Sequence, residues 1–237
     1  IVYGAGDETC RGYLARPAGE GAAKRPGVLV LHEWWGHSDY VRDRAEKLAA
    51  LGYTALAADM FGEGRTAETP EAAQGLMQQL MGDPVAVRRR FEAARDTLLE
   101  QPDVDGERLA VIGYCMGGGI ALEMARAGEP LRGVVAFHGV LGTEHPAEAE
   151  KVRARVLALT GDDDAFAPES DQTAFEQEMQ AAGVDYELVR YPGVKHAFTN
   201  PAVDEKARRF DLPLAYDAEA DADSWRRMQV FLERVFA

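Results

Sequence analysis

Cys115 sits in Gly113-Tyr-Cys-Met-Gly117, where an apolar strand pattern over Leu109–Tyr114 runs directly into a helical pattern over Met116–Ala127. A reactive side chain held on so sharp a strand-to-helix turn has strained backbone angles, and side chains two residues to either side would collide, so both flanks call for glycine. The turn also sets the sulfur beside a helix N-terminus, where the helix dipole favours a thiolate. A thiolate that attacks acyl carbon needs a base, an acid that orients the base, and donors for the developing oxyanion. The base candidate is His196 in Tyr191-Pro-Gly-Val-Lys-His-Ala-Phe198, which follows the last strand pattern and a Pro-Gly turn. Acid candidates are the adjacent Asp162, Asp163 and Asp164 in Thr160-Gly-Asp-Asp-Asp-Ala-Phe-Ala-Pro168. Asp164, three residues after Gly161 and four before Pro168, is favoured because it falls past the strand turn; Asp162 and Asp163 read as a solvated turn before the next helix. The backbone N–H groups of Met116 and Trp34 are the expected oxyanion donors.

The elements that must position these residues alternate almost from end to end. Strand patterns cover Gly12–Ala15, Gly27–His32, Tyr53–Ala58, Leu109–Tyr114, Gly133–Phe137, Val156–Thr160 and Tyr186–Tyr191, several of them continuous Val/Leu/Ala runs suited to parallel strands covered on both faces. Helical patterns cover Tyr40–Leu51, Pro70–Met81, Pro84–Leu99, Met116–Ala127, Pro168–Ala182 and Ala218–Phe236, with Gly52, Gly128 and Gly183 placed to cap three of them. Trp225, Met228, Leu232 and Val235 form a core-facing stripe on the last helix. The expectation is one α/β domain over residues 1–237, a doubly wound, mostly parallel sheet flanked by helices, with the active groups on loops at the strand C-terminal ends. Nucleophile, acid and histidine occur in the chain order of the α/β-hydrolase fold. The segment Phe61–Asp83 is expected to cover the pocket.

A formal net charge of −14 argues against nucleic acid or an anionic membrane surface as partner. No apolar run approaches a membrane span. The chain opens Ile1-Val2-Tyr3 without methionine, which leaves room for an upstream segment. Two cysteines, Cys10 and Cys115, make no disulfide framework, so a reducing, cytoplasmic setting is expected. Gly113-x-x-x-x-Gly118 lacks the Lys-Ser/Thr of a phosphate-binding loop, and a dinucleotide fingerprint would need glycine at Cys115. His32 and His37 are five apart with a glycine between, not the four of a zinc helix, and nothing extends the aspartate cluster into a calcium loop. Neither metal nor organic cofactor is expected. His32 and His138 end strand patterns, where packing is the usual role. His138 joins Trp35, Phe61 and Phe198 as expected pocket residues, with Trp34 adding to the aromatic wall. Glu33 is the odd residue: a carboxylate at that strand end would repel an oxyanion unless turned away, and it could hydrogen-bond the thiol.

His32-Glu-Trp-Trp-Gly36, Asp59-Met-Phe-Gly-Glu-Gly64, Gly113-Tyr-Cys-Met-Gly-Gly118, Gly161-Asp-Asp-Asp-Ala-Phe-Ala-Pro168 and Lys195-His-Ala-Phe198 occur in order along nearly the whole chain. In this set the chain resembles the dienelactone hydrolase family. The resemblance implies a Cys115–Asp164–His196 triad, and for Glu33 a carboxylate that pairs with the resting thiol and helps form the thiolate when substrate binds. It also implies two arginines that hold the carboxylate of a dienelactone. One would lie four residues after the histidine, where this chain has Asn200; the other would lie before Pro84–Leu99, yet no arginine occurs between Arg65 and Arg88. The expected activity is therefore hydrolysis of small carboxylic esters or lactones through a thioester acyl-enzyme, by a monomer or small homo-oligomer, without the dienelactone clamp. Competing readings are acyl transfer to an acceptor other than water, and a non-enzymatic ligand-binding or redox-responsive protein on the same fold.

Overall fold

The computed structural model describes residues 1–19 and 24–237. The chain forms two compact units, Ile1–Ile112 and Gly113–Ala237. In the first, β1 (Val2–Ala5) and β2 (Glu8–Arg11) pair as a hairpin across Gly6-Asp7, with Gly6 at a φ of 65°. β3 (Tyr13–Ala15) runs antiparallel to β5 (Thr54–Ala58), and β4 (Arg25–Leu31) runs parallel to β5 from Gly27↔Thr54 to Leu31↔Ala58. Helices α1 (Asp39–Ala50) and α3 (Pro84–Leu99) pack on β4 and β5, and α2 (Pro70–Met81) packs on α3. β6 (Val104–Tyr114) ends the first unit and opens the second.

The second unit holds α4 (Met116–Arg126), β7 (Gly133–Phe137), β8 (Arg155–Gly161), α5 (Glu169–Ala181), β9 (Tyr186–Tyr191), α6 (Val203–Phe210) and α7 (Ala218–Phe236). β8 runs parallel to β7, from Gly133↔Arg155 to Phe137↔Leu159, and to β9, from Val156↔Tyr186 to Gly161↔Tyr191. The result is a mixed, mostly parallel sheet flanked by helices, the α/β-hydrolase architecture. Val28–Leu31, Ala55–Ala58 and Val134–Phe137 are buried throughout, as continuous apolar runs covered on both faces require. α7 seats directly on β7: a Cβ on Gly133 would lie 2.8 Å from the Phe231 ring and 3.1 Å from Val235. The helix starts follow the capping signals, with Thr69 and Asp83 accepting from the N–H of Ala72 and Ala86 ahead of Pro70 and Pro84, and Asp217 accepting from Ala220.

Three features differ from the sequence reading. The β1–β2 hairpin is too short, and too weakly alternating, to register as strands. β6 begins at Val104, five residues before Leu109, through the polar stretch Asp105–Arg108, where an Asp105–Arg108 ion pair at 2.7 Å supports a backbone of poor strand propensity. α6 escapes because it is largely charged and buries only Val203, which joins a small satellite core with Ala197 and Leu214. No helix among the described residues is long and apolar enough to cross a membrane.

Candidate active site

Within the second unit, Cys115 caps the N-terminus of α4 with φ 54° and ψ −119°, a strained conformation for a residue with a Cβ. Gly113, Gly118 and Gly139 around it are sterically required. A Cβ on Gly113 would lie 2.1 Å from the Gly117 carbonyl oxygen, and Cβ atoms on Gly118 and Gly139 would each come within 2.9 Å of the other's backbone. The Cys115 N–H is shared between the Phe137 carbonyl, at 3.0 Å, and His138 Nδ1, at 3.2 Å. Its side chain is partly exposed, and Met116 begins the first helical turn, whose N–H groups have no carbonyl four residues earlier in the helix to bond.

Asp164 is buried and accepts from His196 Nδ1 through Oδ2 at 2.8 Å, while its Oδ1 accepts from the Phe166 N–H at 2.8 Å. Asp162 and Asp163 beside it are exposed. The carboxylate thus fixes the imidazole tautomer and leaves the other ring nitrogen for the sulfur; His196 and Cys115 are also hydrogen-bonded through their side chains. Burial alone would push His196 down. The charge and hydrogen bond of Cys115 and the hydrogen bond and charge of Asp164 outweigh it and hold the imidazole at about 10. That environment favours the charged form of the His196 ring.

Three further expected pocket residues are buried in the same unit. His138 is wholly buried; its Nδ1 accepts from Cys115, so its Nε2 carries the proton toward Thr199 Oγ1 at 2.7 Å. Phe198 is also wholly buried, its ring edge-on to His138 at 5.2 Å and tilted against Tyr191 at 5.3 Å. Asn200 is buried as well, its Oδ1 accepting from Ala202 N–H in the turn leading to α6. The exposed aromatic is Phe166, 47% accessible with its ring 4.8 Å from His196. Neither Phe166 nor Thr199 stands out in the sequence as a site residue. The signal for Phe166 was its place two residues after Asp164; Thr199 gave none, because its partner is set by the tertiary fold.

In the first unit, the turn after β4 carries Glu33, buried, then Trp34, half-buried, and Trp35, buried, with the two indoles 4.8 Å apart. Gly36, at φ 87°, lies so close to Arg65 and Thr66 that a Cβ would be 2.3 Å from the Arg65 carbonyl oxygen, and Trp35 accepts from Ala67 N–H. The segment after β5 is pinned at its start: Asp59 accepts four backbone N–H groups, from Arg11, Phe61, Gly62 and Gly64, at 2.7–3.2 Å. Arg90 joins Glu8 to the Met60 carbonyl. Phe61 is wholly buried with its ring 4.8 Å from His32. Cys10 is buried in β2, and burial pushes its thiol up to about 11.

Residues 10–236 match the model of the dienelactone hydrolase family. A putative carboxymethylenebutenolidase of Synechocystis sp. is 31% identical over 232 residues, covering 92% of this chain and 89% of that protein. The crystal structure of a dienelactone hydrolase-like promiscuous phosphotriesterase, P91, from metagenomic libraries superimposes with a TM-score of 0.92 at 36% identity, over 100% of this chain and 97% of that one. A putative dienelactone hydrolase from Klebsiella pneumoniae is 26% identical with a TM-score of 0.77, over 95% of this chain and 93% of that one.

Proposed function

The chain belongs to the dienelactone hydrolase family and is an ester or lactone hydrolase, and from that premise we propose a cysteine mechanism acting on small, uncharged esters and lactones. The observation that carries the reading is the Asp164–His196 hydrogen bond of 2.8 Å, with the Cys115 side chain hydrogen-bonded to the same imidazole.

The reaction runs in two acyl-transfer steps. Cys115 Sγ, as thiolate, attacks the acyl carbon, and the carbonyl electron pair moves onto oxygen, where the Met116 N–H donates to it. As the tetrahedral adduct collapses, the C–O bond to the leaving group breaks and His196 delivers its Nε2 proton to the departing oxygen. An alcohol leaves and the acyl group remains on sulfur as a thioester; with a lactone, both products stay on one molecule. Water then attacks the thioester carbon while the neutral His196 takes its proton. Sulfur departs as thiolate, so the imidazolium–thiolate pair returns and a carboxylic acid is released. Asp164 stays ionised throughout, orienting the ring and stabilising its charged form.

The preference for uncharged substrates rests on Asn200. It stands where the resemblance implies an arginine, and its carboxamide cannot match the bidentate charged contact of a guanidinium with a carboxylate. Likeness to the promiscuous phosphotriesterase over the whole chain favours a second, slower activity on neutral phosphotriesters. The test is a panel of p-nitrophenyl esters, plain lactones, carboxylate-bearing lactones and an aryl phosphotriester, with wild type beside Cys115→Ala. We expect turnover of the neutral substrates, and its loss in the variant. One equivalent of iodoacetamide should label Cys115 in the native protein and spare Cys10. Full activity in Cys115→Ala would sink the cysteine mechanism, and turnover confined to carboxylate-bearing lactones would sink the reading of Asn200.

A further inference from the structure

Six non-glycine residues among those described have a positive φ, and three of them belong to one small group in the second unit: Cys115 at 54°, His138 at 39° and Ala197 at 62°. Backbones held in this region revert to ordinary conformations unless their surroundings fix them. Cys115 carries the nucleophile, and Ala197 follows the base. His138 touches both segments. Its Nδ1 accepts from Cys115 N–H at 3.2 Å, and its Nε2–H donates to Thr199 Oγ1 at 2.7 Å, three residues after His196 and two after the strained Ala197. Its ring also meets that of His196 edge-on at 5.1 Å. Gly139, next in sequence, lies against Gly118 with no room for a Cβ on either, so the end of β7 is pressed onto the elbow beside the hydrogen bond.

We propose that His138 is a positioning residue: a neutral imidazole that ties the nucleophile elbow to the loop carrying the base and so sets the spacing of Cys115 and His196. The inference rests on the cysteine mechanism above. Both ring nitrogens are committed in opposite senses, one accepting and one donating, and only the Nε2–H tautomer satisfies both. A side chain that merely filled the space would need neither. Phe137 already accepts from Cys115 N–H at 3.0 Å, so what His138 adds is the connection onward to Thr199. Small displacements between reacting groups cost much rate, because proximity and alignment supply a large part of the acceleration.

The experiment compares Thr199→Val, Thr199→Ser, His138→Asn and Cys115→Ala, measuring kcat and KM on p-nitrophenyl acetate and the pH profile of Cys115 alkylation by iodoacetamide. Thr199→Val preserves shape and removes the acceptor. It should lower kcat roughly tenfold with KM little changed, and shift the midpoint of alkylation to higher pH, because a less well placed His196 stabilises the thiolate less. Thr199→Ser keeps the hydroxyl and should recover most of the lost rate. If Thr199→Val does not fold, His138→Asn decides the matter. Asparagine accepts a positive φ and keeps an acceptor for Cys115 N–H while losing the reach to Thr199, and it should show the same fall and the same alkylation shift. Wild-type kcat and alkylation midpoint in Thr199→Val, or in His138→Asn where that variant stands in, would overturn the positioning role. Retained activity in Cys115→Ala would instead overturn the cysteine mechanism, whatever the other variants do.

Discussion

His32 and His196 are both buried, one at the end of β4 in the first unit and the other after β9 in the second, yet their basicities move in opposite directions. His32 is pushed down to about 4 and His196 up to about 10. Burial acts on both in the same sense, against the charged form. The difference lies in the partners. His32 bonds backbone: Nδ1–H donates to the Glu33 carbonyl at 2.6 Å and Nε2 accepts from Met60 N–H at 3.2 Å, while its ring packs near Phe61. That environment suits a neutral ring that holds two loops. His196 faces the Cys115 sulfur and the Asp164 carboxylate, and these raise it despite burial. A buried histidine is thus held neutral or charged according to the groups it faces, and depth alone does not distinguish the two.

The largest expected effect breaks the pair apart. His196→Gln should lower kcat/KM on p-nitrophenyl acetate by ~10³-fold, and should also lower the melting temperature below pH 6.5, where the raised imidazole contributes to stability. His32→Gln should lower stability alone, by about 1–3 kcal/mol through poorly satisfied backbone partners, with activity per folded molecule within a fewfold of wild type. Parallel kinetics and thermal melts decide it, and equal catalytic losses in the two variants would erase the distinction.

A second prediction sharpens the comparison through pH. A raised histidine pKa stabilises the fold fully below its unfolded value of 6.5, and that contribution is lost as pH climbs toward about 10. His32 acts on the other side. Its depressed pKa lets the unfolded chain take up the proton first, so stability falls as pH drops from 6.5 toward about 4, and His37, also pushed down by burial, adds to this limb. Denaturant unfolding from pH 4 to 10 should therefore give a maximum near the middle. His32→Gln should flatten the acid limb alone, and Cys115→Ala, which removes the leading upward influence on His196, the alkaline limb alone. A Cys115→Ala curve that overlays wild type above pH 7 would refute the assignment.

The sequence made much of this legible, for definable reasons. Strands covered on both faces write themselves as unbroken apolar runs, so β4, β5, β7 and β8 were readable within about two residues. The elbow was readable because steric exclusion leaves glycine at fixed offsets from Cys115. Asp164 separates from Asp162 and Asp163 by its distance from Gly161, and it is the one of the three that lies buried on His196. What could not be read depends on contacts between distant segments. The His138–Thr199 bond spans 61 residues. Phe198 and Phe166 look equally apolar on paper, although one is buried on His138 and the other half-exposed over His196. The charged α6 leaves no apolar stripe to find.

The smallest expected effect concerns Phe166, which has no counterpart on His32, since the ring near that histidine is the wholly buried Phe61. Phe166→Ala should leave kcat on an acetyl ester almost intact. It should reduce the preference for butyrate over acetate a fewfold, as an apolar wall worth one or two methylene contacts is lost. An unchanged acetate-to-butyrate ratio would mean that the exposed ring does not meet the acyl chain.

The crowding around the elbow also governs how this enzyme can change. Most steric conflicts can be relieved by a second substitution that trims the neighbour. At Gly113 the obstacle is the Gly117 backbone, and at Gly118 and Gly139 each is the other's obstacle, so the neighbours have no side chain left to trim. A saturation library spanning these positions should return glycine almost alone, singly or in combination. Adaptation to new substrates must then be sought elsewhere, at positions such as Phe166, while the backbone beneath Cys115 stays a fixed point in any evolutionary path.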